Sequence, residues 1–172
     1  MKEEERAIMA SAKFLAYSLC DKLERKTVDG VIGGFLSNGW TVKETGWSAK
    51  PFDGSMPAFD RGWDFEINFP DALSSRVEFL TFGDGIVRAR ARLQFKQALI
   101  FSKASRHVAH LISSLDYYYG RSHWAAVEPS VHAAQYQNAY TMAYVTRTIS
   151  GGLDSVVYCV GNSRFWRYKY AE

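Results

Sequence analysis

Cysteine, long apolar runs and local catalytic signatures are all scarce in this sequence, and each shortage removes a class of protein. Two cysteines, Cys20 and Cys159, are too few for a disulfide framework and lack the close spacing of a metal-binding pair. One falls in a helical segment and the other in an apolar strand, so both read as buried thiols. No stretch of about 18 apolar residues is present, which excludes a membrane-spanning helix and makes a membrane partner unexpected. The start, Lys2-Glu3-Glu4-Glu5-Arg6, is mainly acidic and is followed by no signal-type apolar run, so cytoplasmic residence is the expectation. Walker loops, dinucleotide fingerprints, nucleophile elbows, zinc-finger spacings and HExxH are missing. Their absence leans away from an enzyme, although dispersed catalytic residues leave no local mark. No cofactor and no metal are expected. No linker, repeat or low-complexity segment divides the chain.

Acidic residues are also in short supply, but only in one half. Residues 1–85 carry 10 Lys and Arg against 14 Asp and Glu, a balance of −4; residues 86–172 carry 11 against 4, a balance of +7. The overall +3 conceals this split. It implies pairing of the two halves or an anionic partner for the second. Aromatic residues, by contrast, are abundant at 15%, enough for a large core and for sticky surface as well. A chain of 172 residues is expected to form a single domain over 1–172 that buries about 70% of its unfolded surface.

The clearest local pattern is Ile86–Lys96. Val87, Ala89, Ala91, Leu93 and Phe95 alternate with Arg88, Arg90, Arg92, Gln94 and Lys96. A strand sends successive side chains to opposite faces, so this segment reads as a strand with one packed and one cationic face. Two readings follow. If Trp63–Phe69, Arg76–Phe82 and Ile86–Lys96 pair in order, Glu78 lies beside the arginines and Asp64 and Glu66 one strand further off, a cross-strand charge ladder. Alternatively the face binds an anion, helped by a second cationic and aromatic strand, Arg164-Phe165-Trp166-Arg167-Tyr168-Lys169-Tyr170.

Around this strand the sequence predicts a helix over 3–26, with Ile8, Ala12, Leu15, Leu19 and Leu23 on one face. A shorter helix capped by Thr27 and stopped at Asn38-Gly39 follows, then strands from 40 to 47 and 63 to 69, a packed loop over 48–61, and a tight turn at Gly83-Asp84-Gly85. Lys103–Tyr119 reads as a helix, 121–138 is ambiguous, and strands return at Tyr140–Ile149, Ser155–Val160 and Arg164–Tyr170. The fold class is therefore α+β: a curved, mostly antiparallel sheet of about six to seven strands on one or two long helices.

Three further groups of residues carry chemistry. Ser150-Gly151-Gly152-Leu153-Asp154-Ser155 resembles the phosphate-binding loop of the PP-loop ATP pyrophosphatases, with its SGGxDS signature; that resemblance implies amides cradling pyrophosphate at a helix N-terminus. Only 17 residues follow Ser155, and Val156-Val157-Tyr158-Cys159-Val160 is β-prone, so the residues themselves read as a hairpin turn. His107 and His110 sit three apart on one predicted helix and lack a fixed third ligand, so they read as surface or hydrogen-bonded histidines. Asp116, Tyr117, Tyr118 and Tyr119 with Arg121, His123, Trp124 and Glu128 could do acid–base work, or simply pack a helix end on the sheet.

The sequence thus points to a non-enzymatic binding module docking an acidic protein surface or a nucleic-acid backbone, through Arg88, Arg90, Arg92 and Lys96 with Arg164, Trp166, Arg167 and Lys169. The alternative is a small-molecule-binding protein or enzyme with an aromatic-lined pocket enclosed by the curved sheet, near Trp40, Trp47, Trp63 and Phe65 or near His123 and Tyr119. An oligomeric subunit is a third reading.

Overall fold

The computed structural model describes residues 2–49, 59–98, 100, 102–120, 122, 124–127 and 131–162, with side chains described at all of these except 48, 49, 124–127, 131 and 132. The first apolar stripe forms α1 (Glu3–Cys20), burying Ile8, Ala12, Leu15, Ala16 and Leu19. Glu3, Glu4 and Glu5 fill its first turn, where the helix dipole favours negative charge. The helix stops at Cys20 rather than at 26, because Lys22 takes a left-handed conformation (φ 53°) that turns the fully buried Leu23 into the core through a short 3₁₀ turn, Leu23–Arg25. Lys26 then folds back, its Nζ donating to the carbonyls of Tyr17 (3.2 Å) and Ser18 (2.9 Å). The cation thus serves the end of α1 from outside the helix.

Thr27 caps α2 (Val28–Ser37) by accepting from the Gly30 amide at 3.1 Å. Eight strands follow, in the order β1 (Val42–Ala49), β2 (Arg61–Ile67), β3 (Ser74–Phe82), β4 (Gly85–Lys96), then α3 (Lys103–Tyr119), then β5 (Trp124–Val127), β6 (Val131–Gln137), β7 (Thr141–Ser150) and β8 (Leu153–Asn162). They make one open antiparallel sheet ordered β1-β2-β3-β4-β8-β7-β6-β5. The order reads the same way from either edge: a helix and a four-strand meander occur twice, and the two last strands, β4 and β8, join them at the centre. Short β5 and β6 account for the ambiguous 121–138 segment. The strand expected at Arg164–Tyr170 lies outside the described residues.

The helices pack on one face of this curved α+β sheet. Phe79, Ala89, Ala91, Leu93, Phe95, Tyr136 and Tyr158 point toward them and are buried. Tyr158 donates to the Ala16 carbonyl at 2.7 Å, satisfying its hydroxyl inside the core. The space left among Leu15, Phe95, His107 and Leu111 is about 10 Å³, so the centre of the core is filled. Trp40 precedes β1 instead of belonging to it; its ring packs against Phe14, Phe35 and Phe69.

At one position the alternation of β4 slips. Leu80 pairs with Arg88 but Thr81 pairs with Ile86, leaving Val87 as the extra residue of a bulge. Ile86 is therefore the buried residue, and Val87 turns to the outer face, contrary to simple alternation from the sequence.

Candidate functional site

The arginines of β4 stand on the face that none of the three helices covers. Reading across the strands, one row is Lys43, Glu66, Arg76, Arg92, Val157 and Thr146. The next is Asp64, Glu78, Arg90, Cys159 and Tyr144. The charge ladder anticipated from the sequence is present in these rows. Arg90 Nε donates to Glu78 Oε2 at 2.8 Å and its Nη2 binds the same oxygen. Arg92 Nε reaches Glu78 Oε1 at 3.4 Å, and Arg76 Nη2 reaches Asp64 Oδ2 at 3.4 Å. Burial disfavours the Arg90 charge, but the Glu78 hydrogen bond more than offsets this and leaves the guanidinium pKa raised.

Neutralisation is incomplete. Across β1–β4 the outer face carries Lys43, Arg76, Arg88, Arg90, Arg92 and Lys96, six cations, against Asp64, Glu66 and Glu78, three carboxylates, a balance of +3. Among the described residues, Arg88 and Lys96 have no carboxylate within salt-bridge distance; the ion pairs on this face involve Arg76, Arg90 and Arg92 only. The four β4 cations do share one face. Arg164, Trp166, Arg167 and Lys169 lie outside the described residues.

Beside Arg88 lies an apolar cluster that alternation had not revealed. Leu80, Val87, Met142 and Tyr144 gather around the fully buried Cys159. Phe82, two residues beyond Leu80 on β3 and so on the same face by strand alternation, is 56% exposed. Burial and the neighbouring Cys159 push the Tyr144 hydroxyl up to about 12, so it stays a neutral phenol at physiological pH. The bulge at Val87 is what delivers an aliphatic group here, and no one-residue pattern announces a bulge.

The motif at 150–155 is a hairpin turn. Gly151 (φ 61°) and Gly152 (φ 79°) both occupy the left-handed region, which favours glycine, and strand β8 rather than a helix follows. Its aspartate is structural. Asp154, 1% exposed, accepts from Arg147 Nε at 2.9 Å and Nη2 at 2.7 Å, and from Ser102 Oγ at 3.2 Å. Ser102 in turn caps α3 through the Ser105 amide. The signal for Arg147 was available: Thr141, Ala143 and Val145 share its parity and face inward, so a cation there requires a buried partner.

The histidines are paired with carboxylates across elements. His107, 2% exposed, lies between the rings of Phe69 and Phe95 with Nε2 2.9 Å from Asp71 Oδ2. His110 Nε2 is 2.6 Å from Glu5 Oε1. Burial lowers the His107 pKa. Burial also works against the Asp71 charge, but its bonds to His107 and Lys103 prevail and hold the carboxyl below its ordinary value. Asp116 accepts from the Tyr136 hydroxyl at 2.7 Å, and Tyr119 bonds Thr141 at 2.7 Å, so these groups tie the end of α3 to the sheet. Arg121, His123 and Glu128 lie outside the described residues.

On the opposite, helix-bearing face a cleft of about 690 Å³ opens between the start of α2 and strands β1–β3. Its lining includes Trp63 and Phe65, two of the four rings named for the pocket alternative. Trp40 is packed into the core, and Trp47 stands beside Trp63 with ring centres 6.5 Å apart. No helix is long and apolar enough to cross a membrane among the described residues. No family model, curated protein or solved structure matches this chain.

Proposed function

We propose that this protein is a non-enzymatic binding module whose outer sheet face docks an acidic protein surface. The observation that carries this reading is the excess of three positive charges on a face that none of the described helices covers, next to a half-buried apolar cluster. Protein interfaces combine Arg, Tyr and Met side chains at a desolvated centre with a charged rim. Arg88, flanked by Leu80, Val87 and Met142, has that composition and no carboxylate of its own. Nucleic acid is the less favoured partner, because Asp64, Glu66 and Glu78 interleave with the cations and would repel a phosphate backbone along the same rows. Arg88, Arg92 and Lys96 steer the encounter, and Tyr144 with Phe82 supplies the buried contact area.

The test is capture of an acidic partner from the source cell, followed by titration at graded salt. Arg88→Glu is expected to abolish binding, whereas Lys13→Glu on exposed α1 leaves it unchanged. A modest salt slope supports a protein partner. A loss of about 10³-fold between about 50 and 200 mM salt, with equal binding to unrelated DNA or RNA, identifies phosphate contacts instead. Unchanged binding by Arg88→Glu removes the outer face from consideration.

A further inference from the structure

The cleft on the helix-bearing side has a chemistry opposite to that of the outer face. Its floor is aromatic: Phe65 is buried, Trp63 is half-buried, and the Trp63 ring is oriented by its Nε1–H donating to Thr81 Oγ1 at 3.4 Å. Its rim is acidic. Asp29 comes from the first turn of α2, Glu44 from β1 and Asp84 from the β3–β4 turn, against Arg61, the one cation among the described lining residues. None of these four charged side chains has a hydrogen bond or ion pair to another described residue, so the described lining keeps an unpaired balance of −2. Behind the wall formed by Gly83, Asp60 accepts from the Gly83 amide at 3.0 Å through Oδ2, while its Oδ1 is buried with no hydrogen-bond partner. These carboxylates come from three separate elements and converge on one opening.

We infer that this cleft binds a small organic cation, an ammonium or guanidinium head carried on an apolar body, with the body on Trp63 and Phe65 and the head toward the acidic rim. An indole face attracts a cation through its quadrupole, and flanking carboxylates reinforce the attraction. The volume of about 690 Å³ falls in the range of small-molecule sites rather than of extended macromolecular interfaces. The inference is independent of the outer-face reading, since the two sites lie on opposite faces of the sheet.

The probe is benzyltrimethylammonium chloride, with 3-phenylpropionate as the anion of similar shape. The readout is the indole N–H resonance of Trp63 in the full chain, assigned by its loss in Trp63→Phe. The ammonium is expected to shift this resonance saturably, and the carboxylate to bind at least ~10-fold more weakly. Glu44→Gln and Asp84→Asn, both at exposed positions with no side-chain hydrogen bond to a described residue, are each expected to weaken the ammonium by about 2- to 5-fold, and Arg61→Gln to strengthen it. Equal or tighter binding of the carboxylate overturns the inference, as does a titration that moves other indoles and leaves Trp63 still. Failure to saturate by about 50 mM, which corresponds to an affinity too weak for a built site, overturns it as well. A lysine-rich peptide binding far more tightly than the small cation overturns the small-molecule assignment in favour of a polypeptide occupant.

Discussion

Replacing Asp154 with Asn tests the most deeply set electrostatic feature of the molecule. The substitution preserves shape and removes one charge, leaving the Arg147 guanidinium, whose side chain is 8% exposed, without its anion. Breaking a buried pair by deleting one partner costs about 3–5 kcal/mol, because the surviving charge keeps its desolvation penalty. Ser102 loses part of its anchor as well, and with it the α3 cap weakens. For a domain of this size each kcal/mol lowers Tm by about 2–4 °C, so a fall on the order of 10 °C or more is expected. Urea unfolding followed by circular dichroism at 222 nm measures the difference directly. The decisive companion is the double variant Arg147→Met with Asp154→Leu, which removes both charges and fills the space with apolar atoms. It should recover most of the loss, since replacing a whole buried pair is often neutral or better. The reasoning fails if Asp154→Asn unfolds within about 0.5 kcal/mol of the parent, the range of an ordinary surface change. It also fails if the double variant is no more stable than the single one.

Four other outcomes follow from the same structure. Glu78→Gln frees Arg90 and Arg92, so it should lower stability by about 1 kcal/mol while tightening an acidic partner, opposite signs read by urea unfolding and by the binding titration. Burial holds the His107 pKa below its unfolded value of 6.5, so the fold keeps its full stability above that pH and loses it as acid protonates the unfolded chain first; Asp71, held below 3.8, adds a second loss at lower pH. His107→Gln should flatten the urea midpoint just below pH 6.5 and, by removing a partner that holds the Asp71 carboxyl down, also shrink the lower step; an unchanged slope below pH 6.5 refutes the assignment. Gly152→Ala, at φ 79°, should cost about 1–2 kcal/mol by strain in the β7–β8 turn. Cys20, its thiol pushed up to about 12 by burial, and the buried Cys159 should resist a thiol reagent in the native state and react only on unfolding, as counted by absorbance.

Much of this architecture was legible because burial leaves a period in the sequence. The alternation in β4 and the helical stripe of α3 marked their elements to within a residue, and the turn glycines marked the hairpins between strands. Three features were not legible, each for a physical reason. The bulge at Val87 depends on pairing with β3, which no window on β4 alone contains. Strands β5 and β6 carry small and polar residues such as Ala125, Ala126, Ala133 and Gln135, so alternation has little hydrophobic contrast there. The cleft draws Asp29, Glu44 and Asp84 from segments 15 and 40 residues apart, and only the folded sheet brings them to one opening. The charge ladder sat between these cases. Its partners were nameable from strand order, but the surplus at Arg88 required the register.

The mirror-like strand order makes the chain two interdependent halves. Residues up to the end of β4 form one meander with its own helices, and those from α3 onward form the other, yet each half on its own presents its innermost strand with an unpaired row of amides and carbonyls. A chain severed between β4 and α3 would therefore yield fragments that are adhesive apart and complementary together, and reconstitution from the two pieces should follow second-order kinetics. The same seam also makes self-association of either fragment, by doubling across its open border, the competing fate during synthesis.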